Sequence, residues 1–304
     1  MADTKIEWTD KTWNPWWGCE KIAPECDHCY AATLASRGLH QAHRGVALAH
    51  DWTGKITRSF DSVWQSPLTW PPGAKVFTCS MSDFWHEDVP LTWLDEALDI
   101  IDRTPHLIYQ VLTKRPANVG RKLDHLKRRL PANVWIGATA GHPDSLPVLK
   151  PLRRIEATLK FLSVEPLLAP MVPGIDLDGI GWVICGGENQ LGGRPCKLKW
   201  VRAVRDLCAE EEVPFFFKQW GRWDNNALYL AAEKNNTHIG RVRRAIRHGE
   251  KATAIFEDAK TGKAKIVGAK GGATVDGKLW RQFPALSRVS VEHLRHSSER
   301  RPEA

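Results

Sequence analysis

The chain has 304 residues, enough to bury a sizeable core in one large domain or two ordinary ones. Hydrophobic residues make up 42% and charged residues 26%, a globular balance, and no apolar run reaches the roughly 18 residues of a membrane span. The net charge of +8 is confined to one region: residues 241–304 hold 15 Lys and Arg against 7 Asp and Glu, and the rest of the chain holds 28 of each sign.

At the N-terminus, Met1-Ala2-Asp3-Thr4-Lys5 lacks a basic-then-apolar signal segment, so the expectation is a cytoplasmic protein. Four of the 15 tryptophans (Trp8, Trp13, Trp16, Trp17) precede Cys19, Cys26 and Cys29, three of the seven cysteines. In a reducing compartment such crowding points to metal or redox chemistry rather than disulfides. Trp13, Trp16 and Trp17 carry two readings: platforms for a base taken out of a helix, or walls that keep solvent from the cysteines.

Further along, short apolar runs recur at Lys75–Cys79, Leu107–Leu112, Val134–Ala138, Leu159–Val164, Gly181–Cys185 and Pro214–Lys218, about one strand–helix unit apart. Leu91, Leu94, Leu98 and Ile101 follow a helical stripe, with Thr92 and Asp95 as a capping box. Val201, Val204, Leu207 and Cys208 form another. Near-continuous apolar strands alternating with amphipathic helices predict an α/β fold, a partial or complete parallel (β/α) barrel.

Each run exits into polar or glycine residues: Ser80-Met81-Ser82-Asp83, Thr113-Lys114-Arg115-Pro116, Thr139-Ala140-Gly141-His142, Glu165-Pro166, Gly186-Gly187-Glu188-Asn189 and Gln219-Trp220-Gly221. In a parallel barrel this C-terminal rim is where sites assemble; helix capping is the competing account. Residues 1–224 are expected to form the barrel, with a metal loop at 18–30. Residues 225–304 are expected to be a small basic β-containing appendage with a disordered end from about Ser290.

Cys19, Cys26 and Cys29 have a C-x6-C-x2-C spacing. Three thiolates on one loop suit three irons of a cubane cluster and leave a fourth iron open for an external ligand. The alternative is zinc completed by His28, His40 or His43, but no second paired half-site exists. Cys79 and Cys185 sit in strand-like runs and read as buried small hydrophobes.

Three cysteines ending in C-x2-C-aromatic after a first strand, followed by βα units, resemble the radical S-adenosylmethionine superfamily. The resemblance is nearest to a phage- and bacteria-encoded branch that shares Trp13-Asn14-Pro15 with Gly18-Cys19, Ser80-Met81-Ser82-Asp83, Leu112-Thr113-Lys114-Arg115-Pro116, Ser163-Val164-Glu165-Pro166, Gly186-Gly187-Glu188 and Phe217-Lys218-Gln219-Trp220-Gly221. It covers about residues 5–223, and Gly277–Pro284 continue it. Two features depart from the superfamily: its commonest spacing is C-x3-C-x2-C, and its glycine-rich phrase falls after the second strand in many members.

The resemblance implies a 4Fe-4S cluster on Cys19, Cys26 and Cys29, S-adenosylmethionine as co-substrate, and an electron donor such as flavodoxin or ferredoxin. Reductive cleavage of S-adenosylmethionine would give a 5′-deoxyadenosyl radical that removes one substrate hydrogen. It implies cofactor contacts from Tyr30, Ser80, Ser82, Asp83, Ser163, Glu165, Gly186, Gly187 and Glu188. Lys114 and Lys218 are the candidate catalytic groups; surface or internal ion pairs are their structural alternatives. Arg241, Arg243, Arg244 and Arg247 are the candidate nucleic-acid contacts, against a plain solvated face.

Three functions follow as expectations. The first is isomerisation of an aminoacyl-thymine group in DNA during phage hypermodification, on polymer or on a nucleotide, in the host cytoplasm if the chain is phage-encoded. The second is a thymine-lesion repair lyase. The third is a non-catalytic zinc module that binds nucleic acid.

Overall fold

The computed structural model describes residues 4–36, 54–190, 193–221, 254–257, 264–267 and 273–285. Two short strands come first, β1 (Lys11–Trp13) and β2 (Trp16–Trp17), followed by α1 (Tyr30–Ser36) and by β3 (Thr57–Arg58), which pairs antiparallel with β2. After α2 (Asp61–Trp64) strands and helices alternate: β4 (Lys75–Thr78), α3 (Leu91–Arg103), β5 (Ile108–Thr113), α4 (Pro116–Leu126), β6 (Val134–Thr139) and α5 (Leu149–Arg154). The series continues through β7 (Leu159–Val164), β8 (Trp182–Gly186), α6 (Leu198–Glu210) and β9 (Phe215–Gln219). All six expected strands are present, each within one residue of its apolar run.

Seven strands form one parallel sheet in the order β1-β4-β5-β6-β7-β8-β9. Spatial order follows chain order, so every crossover steps in the same direction and the covering helices fall on one face. A doubly wound sheet would reverse direction once. The sheet curls instead into a half-barrel, the α/β barrel architecture expected.

Side-chain alternation explains why the strands read as continuous apolar runs. In β6, Val134, Ile136 and Ala138 join the core beneath the helices, whereas Trp135 joins an aromatic cluster on the opposite face. In β9, Phe215 and Phe217 face the helices and Phe216 the aromatic cluster. Both faces are largely buried, so the strands are mainly apolar on each; Gln110, fully buried within β5, donates to Trp8 O at 3.1 Å. The helical core takes Leu94, Ala97, Leu98 and Ile101 from α3 and Val201, Val204 and Cys208 from α6. The Thr92–Asp95 capping box is corrected: α3 starts at Leu91 with Pro90 in the cap position and no side-chain cap.

Trp13 and Trp16 are fully buried in the main core, against Trp64, Tyr109 and Phe84. They present no free face, so the base-stacking reading of these two is overturned. Trp17 is buried beside Met81 and Ala31, and its indole donates to Ser59 Oγ at 2.8 Å.

Beyond β9, β10 (Ala254–Glu257) pairs antiparallel with β11 (Ala264–Val267), and β12 (Thr274–Val275) with β13 (Lys278–Leu279). The segment after β13 lies antiparallel along β9. Phe217 N donates to Trp280 O at 2.9 Å, and Gln282 N to Phe215 O at 3.2 Å. Arg241, Arg243, Arg244, Arg247 and the segment from Ser290 lie outside the described residues. Among the described residues no helix is long and apolar enough to cross a membrane.

Candidate functional site

The strand C-termini surround a cavity of about 690 Å³. Its wall includes Cys19, Cys26, Cys29 and Tyr30, together with Ser80, Ser82, Asp83, Lys114, Ser163, Glu165, Gly187, Glu188 and Lys218. Residues spread over some two hundred positions thus meet at one opening. Gly186 lies behind the wall; a Cβ there would sit 3.3 Å from Glu165 Oε1.

The cysteine loop is fastened to four strand exits. It begins at Gly18, whose φ of +105° and whose close approach to Lys55 O, 2.0 Å from any Cβ, admit glycine alone. Ser82 Oγ, after β4, donates to Gly18 O at 2.6 Å. Arg115, after β5, reaches Glu20 Oε1 at 3.3 Å. Glu25 is buried, and its two oxygens accept from Gly141 N at 2.6 Å and Ser145 Oγ at 2.8 Å, both after β6. Glu188, after β8, holds Arg194 at 2.7 Å, and Arg194 in turn donates to Asp27 at 3.0 Å and to Pro24 O at 2.8 Å. His28 Nδ1 lies 3.1 Å from Glu188. Tyr30 opens α1, its ring half-exposed and its hydroxyl donating to Ser80 O.

Asp83 is the hub of the rim. It accepts from Thr113 Oγ1 at 2.7 Å, Trp85 N and Lys114 N at 3.0 Å, and Arg115 Nη1 at 3.3 Å. Ser80 Oγ donates to Asn14 Oδ1 at 3.2 Å. Asp83, Ser80 and Ser82 therefore each have an internal partner. Glu165 pairs with Lys218 at 2.8 Å and accepts from Gln219 Nε2 at 3.3 Å, which makes Glu165 the lysine's partner at the rim. Gly187 packs so closely on the β9 exit that a Cβ would lie 2.1 Å from Trp220 O.

Burial, with the Asp83 carboxylate beside it, pushes the Cys19 thiol up to about 11, against the pull of Arg115 and Lys114. Cys79 is the buried core residue expected, with a φ of 59°, and it also borders the cavity. Cys185 is the buried small residue expected.

Among the described residues no three His, Cys, Asp or Glu side chains close on a single-ion site. A cubane places one thiolate on each of three separate irons, so its sulfurs surround a volume rather than meet at a point. Three thiols on the wall of one cavity fit that donor set. Thr139 Oγ1 and Trp8 Nε1 are buried, lack hydrogen-bond partners and belong to cavity-lining residues, which fits a polar organic ligand beside the cysteines.

Sequence reasoning missed Glu25 and Arg194, and it named Asn14 and Thr139 within longer phrases without giving either a role of its own. Loop acids and a distant arginine leave no periodic trace. The available signal was the placing of Glu20, Glu25 and Asp27 among the three cysteines, and it did not say which acid would be buried.

The model of a family described as "Protein of unknown function (DUF5131)" matches residues 3–284. No curated protein matches the chain. Among solved structures, a point mutant of spore photoproduct lyase is similar at 12% identity and a TM-score of 0.39, covering 62% of this chain and 59% of that one. A double mutant of the same enzyme, with bound AdoMet and dinucleoside spore photoproduct, is similar at 12% identity and a TM-score of 0.39, covering 68% and 63%. The chain thus spans about three fifths of the length of these structures.

Proposed function

We propose, for a chain that belongs to the DUF5131 family, the function of a radical S-adenosylmethionine enzyme. The observation that carries this is the convergence of Cys19, Cys26 and Cys29 on one cavity with residues from the C-terminal ends of six strands, β4 to β9. On this reading the three cysteines would hold a 4Fe-4S cluster, and the cavity beside them would take S-adenosylmethionine. Such a cluster, when bound and reduced, would supply the one-electron chemistry by which S-adenosylmethionine becomes a source of hydrogen abstraction.

The chain's own residues hold and shield. Glu165, fixed by Lys218 and Gln219, is assigned to accept from ribose hydroxyls, and Ser163 and Thr139 stand beside it on neighbouring strands. Lys114, whose charge is felt at Cys19, suits a carboxylate or phosphate. Tyr30 screens the cysteine side of the cavity. As substrate we assign a modified thymine base in DNA, with isomerisation of its aminoacyl group as the reaction. The support is the sequence resemblance and the concentration of all net charge after residue 240, where Arg241, Arg243, Arg244 and Arg247 are the assigned phosphate contacts.

The test is anaerobic reconstitution with iron and sulfide. The protein should turn brown and release 5′-deoxyadenosine from S-adenosylmethionine under reduction, and Cys26→Ala should abolish both. A colourless protein holding one tightly bound zinc ion would refute the reading.

A further inference from the structure

Arg115 stands where the strand rim and the cysteine loop meet. Its backbone is fixed on both sides: its N–H donates to Thr113 Oγ1 at 2.8 Å, and Pro116 begins α4 directly after it. Its side chain is 9% exposed and makes three contacts. Nη1 donates to Asp83 Oδ2 at 3.3 Å and to Cys19 Sγ at 3.8 Å, and Nη2 donates to Glu20 Oε1 at 3.3 Å. One planar guanidinium thus spans a rim acid, a loop acid and the first cysteine. A lysine, a single point charge, could not reproduce that span.

We infer that Arg115 is a positioning residue for Cys19 that also raises the reduction potential of a cluster bound there. This deepens the radical-enzyme reading and rests on it. Reduction adds one negative charge to the cluster, and part of it falls on the ligand sulfurs. A cationic donor at a ligand sulfur stabilises the reduced form more than the oxidised one, and such hydrogen bonds are among the protein's means of setting cluster potentials. Asp83 opposes the effect, but its carboxylate is also satisfied by Thr113, Trp85 and the Lys114 amide. Arg115 is the one residue that donates directly to Cys19 Sγ among the described hydrogen bonds. Cys19 is thereby distinguished from Cys26 and Cys29.

The experiment uses the full chain with its cluster reconstituted anaerobically, and compares wild type with Arg115→Gln and Arg115→Lys. Iron and sulfide content are measured first, then the midpoint potential by titration followed through the spectrum of the reduced cluster. At a fixed poise, Arg115→Gln should lower the reduced-to-oxidised ratio about tenfold, or 59 mV for a one-electron couple. Arg115→Lys should fall between the two, because it keeps the charge and loses the fork. If Arg115→Gln cannot hold iron, Arg115→Lys alone decides. An unchanged potential overturns the inference. So does loss of iron from both variants at an unchanged melting temperature, since Arg115 would then serve retention and not potential. A wild-type chain that takes up no cluster fails the parent reading instead, and the iron assay shows this before any variant is compared.

Discussion

Thiols buried among apolar side chains resist ionisation, and this chain buries several away from its cavity. Burial pushes Cys196 and Cys208 up to about 12 from an ordinary 9.0. Below pH 9 both the folded and unfolded chains carry thiols, and these groups add no pH dependence. Between pH 9 and 12 the unfolded chain ionises them and the folded chain does not. Stability present below pH 9 is therefore lost as pH rises, by about 1 kcal/mol per thiol at pH 10. Urea unfolding at pH 8 and pH 10 should show the loss. Cys208→Ala should start lower from lost packing, yet fall less steeply. Identical pH slopes in wild type and variant would mean that Cys208 ionises in the folded state.

At the scale of elements, the cysteine loop is ordered by its anchors more than by its own secondary structure. Glu25 is the clearest case, since both its oxygens are used and it is 5% exposed. Glu25→Ala leaves the Gly141 amide and Ser145 hydroxyl without partners in a buried place, a cost of about 1–3 kcal/mol for each group that water cannot reach. Glu25→Gln keeps an acceptor for one of them. The expected order of thermal stability and of iron uptake is wild type, then Gln, then Ala. Equal iron uptake in all three would show that the loop keeps its shape without the β6 anchor.

The same comparison shows what was legible in sequence. Six strands could be read because both faces of each are largely buried, which leaves a mainly apolar run broken only by single residues such as Gln110. Strand β1 could not, because three residues in which Trp13 alone is buried carry no such signal. The rim residues were legible as a class, since every strand exit changes composition at once. Their individual partners were not: Arg194 meets Pro24 across 170 positions, and nothing local in either sequence records it. The Thr92 capping box failed because Pro90 had already turned the chain into α3.

At the scale of the whole molecule, a half-barrel leaves two sheet edges, and an open edge strand invites pairing with another chain. At the β9 edge the chain covers itself. Trp280 and Gln282 pair with β9, and Gln282 also accepts the Trp182 indole N–H at 2.9 Å through its carbonyl and the Phe215 N–H at 2.9 Å through its side chain. Phe283 packs on Trp182 and Phe216, and Val275 enters the main core. Arg202 and Arg205 clasp Asp276, which pulls its carboxyl down to about 2, so the clasp is present above pH 4 and fails only as pH drops towards that value. Residues 273–285 are therefore bound to the barrel on three sides. A chain ending at residue 224 should lose this cover, expose the β9 backbone and the Phe216–Trp182 aromatic face, and self-associate. Light scattering should rise with concentration for the shortened chain and stay flat for the full one. Asp276→Ala, which removes only an exposed clasp, should stay monomeric in the same assay. A shortened chain that remains monodisperse with an unchanged melting temperature would show that the barrel closes its own edge without the segment.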